Sequence, residues 1–410
     1  MAPLKFSISV LFIISYLVLV RCLRWRRYDK LHMKYMKRDI NSLTMREAQE
    51  ILQLSLLWDM PDLVIYAYSF ALFKTYGIPT ISELLTNTNE LSCESSVSKR
   101  YSDASVFLLY FATWLNCCIT AMVGQPGDSR TETTIGADDP RGAIALARVN
   151  WLHSKYKISN DDYLYTLALF ILEPITWCSK WGWRPLSDLE AHAMFVYWRN
   201  IGENMHIKDI PETLDELREW SLSYETTAMI PRQSNHDLAE ATTNELLGTV
   251  PNGLGLRTIL RHVVWALLDE RVRIAMMFPP QHQILHGTIS ICRMAFILFE
   301  RYCCLPRFGP RLFVNAPHNM NMTPDDGSSL PRMHPAWFAA RPWYRRESNG
   351  LRWMVERVAL ALGMITVYKI PSKELKSQGY RLEEMVGQHP LCMIEIHYAD
   401  TLYILGPCSI

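Results

Sequence analysis

The sequence predicts an all-α protein, with a single helical domain behind an N-terminal membrane-anchor helix. Three observations carry that expectation. Apolar residues recur at helical spacing along most of the chain, and regular strand alternation is scarce. An uncharged apolar run near the start is followed at once by a basic cluster. With 410 residues and 49% hydrophobic content, the chain can bury a large core. Its formal net charge of +1 offers no basic surplus for nucleic acid, and no nucleic-acid-binding motif is present. The ten cysteines form no CxxC pair. Cys117-Cys118 and Cys303-Cys304 are adjacent doublets, which read as reduced, buried thiols rather than zinc ligands or a disulfide framework.

The anchor comes first. Phe6 to Val20 carries no charge, and Arg21, Arg24, Arg26, Arg27 and Lys30 follow. These fifteen residues, at about 1.5 Å each, reach roughly 22 Å of a ~30 Å hydrocarbon layer. Leu4 and Leu23 extend the run, while Lys5 and Arg21 can snorkel. A cleaved signal peptide would place its basic residues before the apolar run and small residues after it; here the order is reversed. The run therefore reads as an uncleaved anchor over residues 1–23, with a basic juxtamembrane segment over 24–42. The positive-inside rule puts everything after Arg21 in the cytosol.

A helical domain is expected over 43–310, and a C-terminal arm with one helix over 311–410. Leu43 to Leu57 is amphipathic, Asp59-Met60-Pro61 breaks it, and Leu63 to Tyr76 resumes. Gly77-Ile78-Pro79 then turns the chain into Ile81–Leu85. Ser105 to Val123 is uncharged, with Thr113, Asn116 and Thr120 along one stripe, and it reads as a core helix or as a second span. Gly124 to Gly142 is a long polar loop. A helix from about Gly142 to Ile158 carries the stripe Ala145, Val149, Leu152 and Tyr156. Asn150, Ser154 and Lys157 line its wet side, and His153 flanks the stripe. Ser159-Asn160 offers a cap, and Asp161 and Asp162 suit the positive end of the next helix. That helix, Tyr163 to Leu172, is apolar nearly all round and should be central, with Pro174 ending or kinking it. Ser187-Asp188-Leu189-Glu190 is a capping box opening a helix through Trp198. Pro211 starts another, to about Tyr224. Leu254–Met277, Ile284–Tyr302 and Arg352–Tyr368 are further helical runs, and Pro306–Pro310 and Pro317–Gly350 read as an extended surface arm.

Several chemistries are excluded by spacing. No cysteine follows Phe308-Gly309-Pro310 as a thiolate-haem loop requires, so Glu270-x-x-Arg273 reads as a plain salt bridge. None of the twelve histidines sits in a His-x-Asp or His-x-Glu facial-triad pattern. Glu203-x-x-His206 is a lone copy where a di-iron bundle needs two. There is no Gly-x-Ser-x-Gly elbow, P-loop or His-Glu-x-x-His motif. What remains is one histidine, His153, beside an apolar helical face. It reads either as a satisfied core histidine or as an axial haem ligand, since haem asks for one imidazole, dry walls and a cation or two for its propionates.

Long blocks of the chain resemble a known family. They are Ala71-Leu72-Phe73-Lys74-Thr75-Tyr76-Gly77-Ile78-Pro79-Thr80-Ile81-Ser82, Ser98-Lys99-Arg100-Tyr101-Ser102-Asp103, and Arg148-Val149-Asn150-Trp151-Leu152-His153-Ser154. Further blocks are Tyr165-Thr166-Leu167-Ala168-Leu169-Phe170, Trp183-Arg184-Pro185-Leu186-Ser187-Asp188-Leu189-Glu190, Trp198-x-x-x-Gly202 and Tyr224-Glu225. These are similar to the MpaB-type fungal endoplasmic-reticulum-bound oxygenases, relatives of the bacterial latex-clearing rubber oxygenases. The resemblance implies an oxygenase domain over 43–310 that binds one haem b, its iron held by His153. Arg148 lies in the same block, about 140° from His153 on the helix, and would pair with a haem carboxylate or a neighbouring helix. Thr166 resembles a pocket threonine of the rubber oxygenases, and Arg100 matches the arginine of the Lys-Arg-Tyr block. Where the family reads Lys-Arg-Tyr-x-Asp-Thr, this chain has Ala104, so the hydroxyl at that distal position is absent. Glu173, seven residues after Thr166, shares its face and is either a proton-handling group or a helix-end carboxylate reaching water.

The resemblance further implies an oxidoreductase acting with O2 in the endoplasmic-reticulum membrane, single-pass, with a cytosolic catalytic domain. Its expected partners are a prenylated small-molecule substrate and membrane lipid, with no nucleic acid, and its expected role is secondary-metabolite (meroterpenoid) biosynthesis. The leading expectation is cleavage of a double bond in an isoprenoid side chain. The alternatives are haem-dependent hydroxylation or dehydrogenation, or non-catalytic binding of a prenyl ligand at the membrane.

Overall fold

The computed structural model describes residues 2–88, 99, 140–251, 255–311, 313–315, 332–336, 341–367 and 370–380. Arg100, Ala104, the Ser105–Val123 run and all but the end of the Gly124–Gly142 loop lie outside the described residues. The fold is all-α. Helices α1 (Ala2–Tyr35), α2 (Met45–Gln53), α3 (Pro61–Thr75), α4 (Pro79–Asn87), α5 (Pro140–His153), α6 (Asn160–Trp181) and α7 (Asp188–Asn204) come first. They are followed by α8 (Leu214–Ala228), α9 (Gln233–Gly248), α10 (Leu256–Leu267), α11 (Glu270–Ala275), α12 (Gln283–Cys303) and α13 (Gly350–Ala361). The strands among the described residues are Val314–Asn315 and His334–Pro335, paired antiparallel.

Local chemistry explains most boundaries. Thr44, Ser187 and Thr213 each open a helix with a complete capping box, closed by Glu47, Glu190 and Glu216. A π-turn, Leu54–Asp59, ends the α2 run with the Met60 amide donating to the Ser55 carbonyl at 3.0 Å; Pro61 then starts α3 at a position that needs no amide proton. The predicted Leu254–Met277 helix divides into α10 and α11, because Leu268 and Asp269 adopt an extended backbone between them. Helix α9 follows polar residues whose apolar stripe is thin, and sequence periodicity did not disclose it.

Helix α6 is the centre. It continues through Pro174 to Trp181, so Pro174 does not end it. Leu164, Leu167, Ala168 and Ile171 face a core shared with α2, α3 and α7, which includes Ile51, Leu52, Tyr68 and Trp198. Tyr165 and Leu169 face a second core with Phe73, Leu238, Met276 and Phe278. A helix serving two cores has to be apolar nearly all round. α3 packs along α6, α2 along α7, and α4 along α9. Tyr68 and Trp198 stack edge-on at 5.7 Å, with the Trp198 indole donating to the Tyr68 hydroxyl at 3.1 Å. Burying each such aromatic stabilises the fold by about 1.5–3 kcal/mol.

A buried ion cluster ties this layer together. Arg184 donates to Asp59 at 2.7 and 2.9 Å and to Glu190 at 2.6 and 2.8 Å. Burial opposes its charge, but the hydrogen bonds and field of Glu190, with those of Asp59, raise its pKa further above the ordinary arginine value. Gly182 precedes it in an extended conformation, where a Cβ would lie 2.5 Å from the Cys178 carbonyl and 2.7 Å from Met60 Sδ. Cys178 is a buried thiol, as expected, but Cys22, Cys292 and Cys303 are exposed.

α1 is one continuous helix through the expected 23/24 boundary. Val20 and Arg24 are buried, so its second half packs on the domain. Among the described residues, no single helix is long and apolar enough to cross a membrane.

Candidate functional site

His153 is the last residue of α5, not a mid-helix position as the expected 142–158 span implied. Ser154 to Tyr156 form a turn, with the Tyr156 amide donating to the His153 carbonyl at 3.0 Å. Of the predicted stripe, Ala145 and Val149 are buried and Leu152 packs at the core margin, but Tyr156 is exposed because the helix has ended. Asn150 is not on a wet side: its amide donates to the Asn204 carbonyl at the end of α7, at 3.0 Å.

The half-buried His153 ring lies 5.5 Å from the Tyr163 ring on the first turn of α6. Burial raises the pKa of the Tyr163 phenol, so this wall stays uncharged. Thr166 is one turn further along α6, on the same face as Tyr163. Its hydroxyl donates to the Asp162 carbonyl at 2.8 Å, which leaves the oxygen free to accept. Asp162 pins this end of α6, since its carboxylate accepts from Thr80 at 2.8 Å and from Tyr224 at 2.9 Å. Arg148 is buried, its guanidinium 4.3 Å from the Trp151 ring, and burial lowers its pKa. Lys155, which the sequence reading did not single out, lies 3.5 Å from the same ring. Two cations thus share the Trp151 indole, two residues before His153 in the chain.

Glu173, two turns beyond Thr166, is not at a helix end and does not reach out into bulk water. It is buried, 3.2 Å from Lys74 on α3, and accepts from the Trp177 indole at 3.2 Å. Lys74 also meets Glu225 at 2.8 Å and Asp269 at 3.6 Å, and Tyr165 donates to Glu225 at 3.2 Å. Burial alone would depress the Lys74 ammonium; the fields of Glu173 and Glu225 outweigh it and raise its pKa above the ordinary lysine value. Sequence reasoning missed this cluster as a unit. The signal was present: Lys74 is the one basic residue in an otherwise apolar α3, and buried charges are paired.

Comparison with known proteins fits this arrangement. Residues 131–294 match the catalytic-domain model described as "ER-bound oxygenase mpaB/B'/Rubber oxygenase". The chain is 31% identical over 298 residues to the ER-bound oxygenase mpaB of Penicillium roqueforti (strain FM164), covering 67% of this chain and 91% of that protein. It is 31% identical over 368 residues to the ER-bound oxygenase mpaB' of Penicillium brevicompactum, covering 84% and 79%. The helical fold and the matched segment define an oxygenase-type catalytic domain. The chain belongs to the mpaB family of ER-bound oxygenases, and is thus an oxidoreductase acting with O2.

Among the described residues, no three His, Cys, Asp or Glu side chains gather as a bare metal ion would require. A porphyrin supplies four nitrogen donors itself and asks the protein for one more. A single imidazole on a half-buried helix end fits that donor set.

Proposed function

We propose that this chain is a membrane-anchored, haem-dependent oxygenase that cleaves a carbon–carbon double bond in the isoprenoid side chain of a secondary metabolite. The observation that supports the reading is that the His153 ring at the end of α5 meets the Tyr163 ring on the first turn of α6, one turn before Thr166, inside the matched catalytic segment. Bound haem b would bind and activate O2. His153 would hold the iron, with its ring orientation set by the end of α5. Tyr163 would exclude water from one side. Thr166, its proton already committed to Asp162, would accept a hydrogen bond from a group in the pocket. Arg148 would neutralise a haem carboxylate, and Arg100 would support the distal side. Residues 1–23 would anchor the chain in the endoplasmic-reticulum membrane, with 24–42 beside it, the oxygenase domain (43–310) in the cytosol and 311–410 as a C-terminal extension. There a prenylated substrate partitions favourably, at about 0.8 kcal/mol per CH₂.

In the scission reaction the double bond is replaced by two carbonyl groups, each receiving one atom of O2, so no external reductant is consumed. With ¹⁸O₂, each fragment should gain one label. A product that keeps its full carbon skeleton and adds one oxygen points instead to hydroxylation, and an unchanged skeleton lighter by two hydrogens to dehydrogenation. Haem dependence is tested by the absorption spectrum of detergent-solubilised, haem-replete protein. His153→Ala should abolish the Soret band, whereas His206→Asn should retain it; His206 has a left-handed backbone (φ 60°), which asparagine tolerates. An active but colourless, iron-free preparation would overturn the haem assignment.

A further inference from the structure

Helix α12 has the opposite polarity to a surface helix in water. None of its residues is buried, and Ile284, Ile291, Met294, Phe296, Leu298 and Phe299 are each 48–73% exposed. Its Arg and Glu side chains turn toward the protein. Arg293 donates to the Lys180 carbonyl at 2.5 Å, Arg301 to the Trp183 carbonyl at 3.4 Å, and Glu300 pairs with Arg24 at 3.2 Å. Even the Thr288 hydroxyl is satisfied within the helix, by the Ile284 carbonyl at 2.9 Å. Charges inward and large apolar groups outward is the arrangement for a medium less polar than water. Six such side chains present several hundred Å² of apolar surface, more than scattered exposure explains.

This face is joined to α1. The Tyr16 hydroxyl donates to the Cys303 carbonyl at 2.8 Å and Arg24 to the Cys304 carbonyl at 2.9 Å, so the exposed apolar run Val10–Ile14 leaves the domain beside the end of α12. Where that run ends, the exposed cations Arg21, Arg26 and Lys30 begin, as the anionic phosphate layer of a bilayer would require.

We infer that α12 is a second membrane contact, lying in the bilayer interface with its Ile284–Phe299 face among the acyl chains and holding the oxygenase domain flat against the lipid. The inference rests in part on the membrane attachment proposed for residues 1–23 and extends it to a second element. It gives the protein two lipid contacts that fix the orientation of the domain.

The full chain is reconstituted in phosphatidylcholine–phosphatidylserine vesicles carrying a diazirine on the acyl chain, irradiated, and its adducts mapped by peptide mass spectrometry. Adducts are expected on both 10–19 and 284–302. Adducts on 10–19 alone would overturn the α12 contact and leave the anchor standing; adducts on 284–302 alone would support α12 and remove the anchor. Adducts on neither would remove both, and links between copies through α12 in place of lipid adducts would make the face a dimer contact and overturn the inference. In the full-chain Phe296→Asp/Phe299→Asp variant, whose substituted side chains face outward, the 284–302 adducts should be lost while those on 10–19 persist. Retention of the α12 adducts in that variant would overturn the inference.

Discussion

Replacing Lys74 with methionine tests whether the buried ion cluster holds α3 to α6. In the wild type, Lys74 is 13% exposed and lies 2.8 Å from Glu225 (8% exposed) and 3.2 Å from Glu173 (11% exposed). Asp269, at 3.6 Å, is 55% exposed, and solvent screening reduces its share. Lys74→Met keeps most of the side-chain volume but leaves two carboxylates in a site built for a cation. Tyr165 and Trp177 each donate one hydrogen bond, and the exposed Arg271 stays 3.6 Å from Glu225, where solvent screens it, so the charge is compensated only in part. Removing one partner of a buried pair costs about 3–5 kcal/mol, and we predict that loss. The assay is urea denaturation followed by tryptophan fluorescence, read as a fall in the midpoint at unchanged slope. Lys74 titrates above its ordinary value, so its contribution is complete below the unfolded-state pKa of about 10.4 and fades only as pH rises through the higher folded value. The difference between wild type and variant should therefore stay constant between about pH 6 and 9. A loss below about 1 kcal/mol, the scale of an exposed pair, would refute the reasoning, because it would mean water already solvates these carboxylates.

Four further outcomes are expected. Arg184→Met strands Asp59 and Glu190, which are 6% and 0% exposed, and should cost about 3–5 kcal/mol in the same denaturation assay. Gly182→Ala places a methyl 2.5 Å from the Cys178 carbonyl and should destabilise by about 1–3 kcal/mol, read as a lowered thermal midpoint. Thr166→Val removes only a hydrogen bond to the Asp162 carbonyl, so stability should change by about 1 kcal/mol or less while oxygen consumption with substrate falls; unchanged turnover would remove Thr166 from the pocket. Burial depresses the pKa values of His192 and His334, so the folded state takes up their protons less readily than the unfolded chain. Their contribution is full above the unfolded histidine value of about 6.5 and is lost as pH falls through the folded values, a decline that urea midpoints across that range should trace.

The local grammar of the fold was legible. Ser187 with Glu190, the Asp59-Met60-Pro61 break and the apolar ring of α6 each state one boundary or one burial in a few adjacent residues. What escaped was set by contacts far apart in sequence. Pro174 reads as a stop because its missing amide costs a hydrogen bond, yet the two cores packed on α6 keep the helix running to Trp181. The α5 stripe continues to Tyr156 on paper, but the chain turns at His153 and leaves Tyr156 exposed. Glu173 could be narrowed to two roles from its neighbours but not assigned, since its partner Lys74 is 99 residues away. His153 was legible as a lone histidine at an apolar margin; its contact with Tyr163 depends on how α5 and α6 meet.

These long-range contacts bear on the site itself. The blocks around Lys74, Thr166 and Glu225 lie apart in sequence, and the fold brings the first and last of them together on α6. At its start, Asp162 is fixed by Thr80 from α4 and Tyr224 from α8. Beyond the pocket, Glu173 is fixed by Lys74 from α3, and the same ammonium reaches Glu225 one residue after Tyr224. Tyr163 and Thr166 lie on the segment between these two clamps. The proposed pocket would need this wall fixed from both ends, because a shift of about 1 Å in a positioning group can cost a hundredfold in rate. The charge buried at Lys74 is better understood as the rigidity of that wall than as a proton donor, because three carboxylates hold the proton on it.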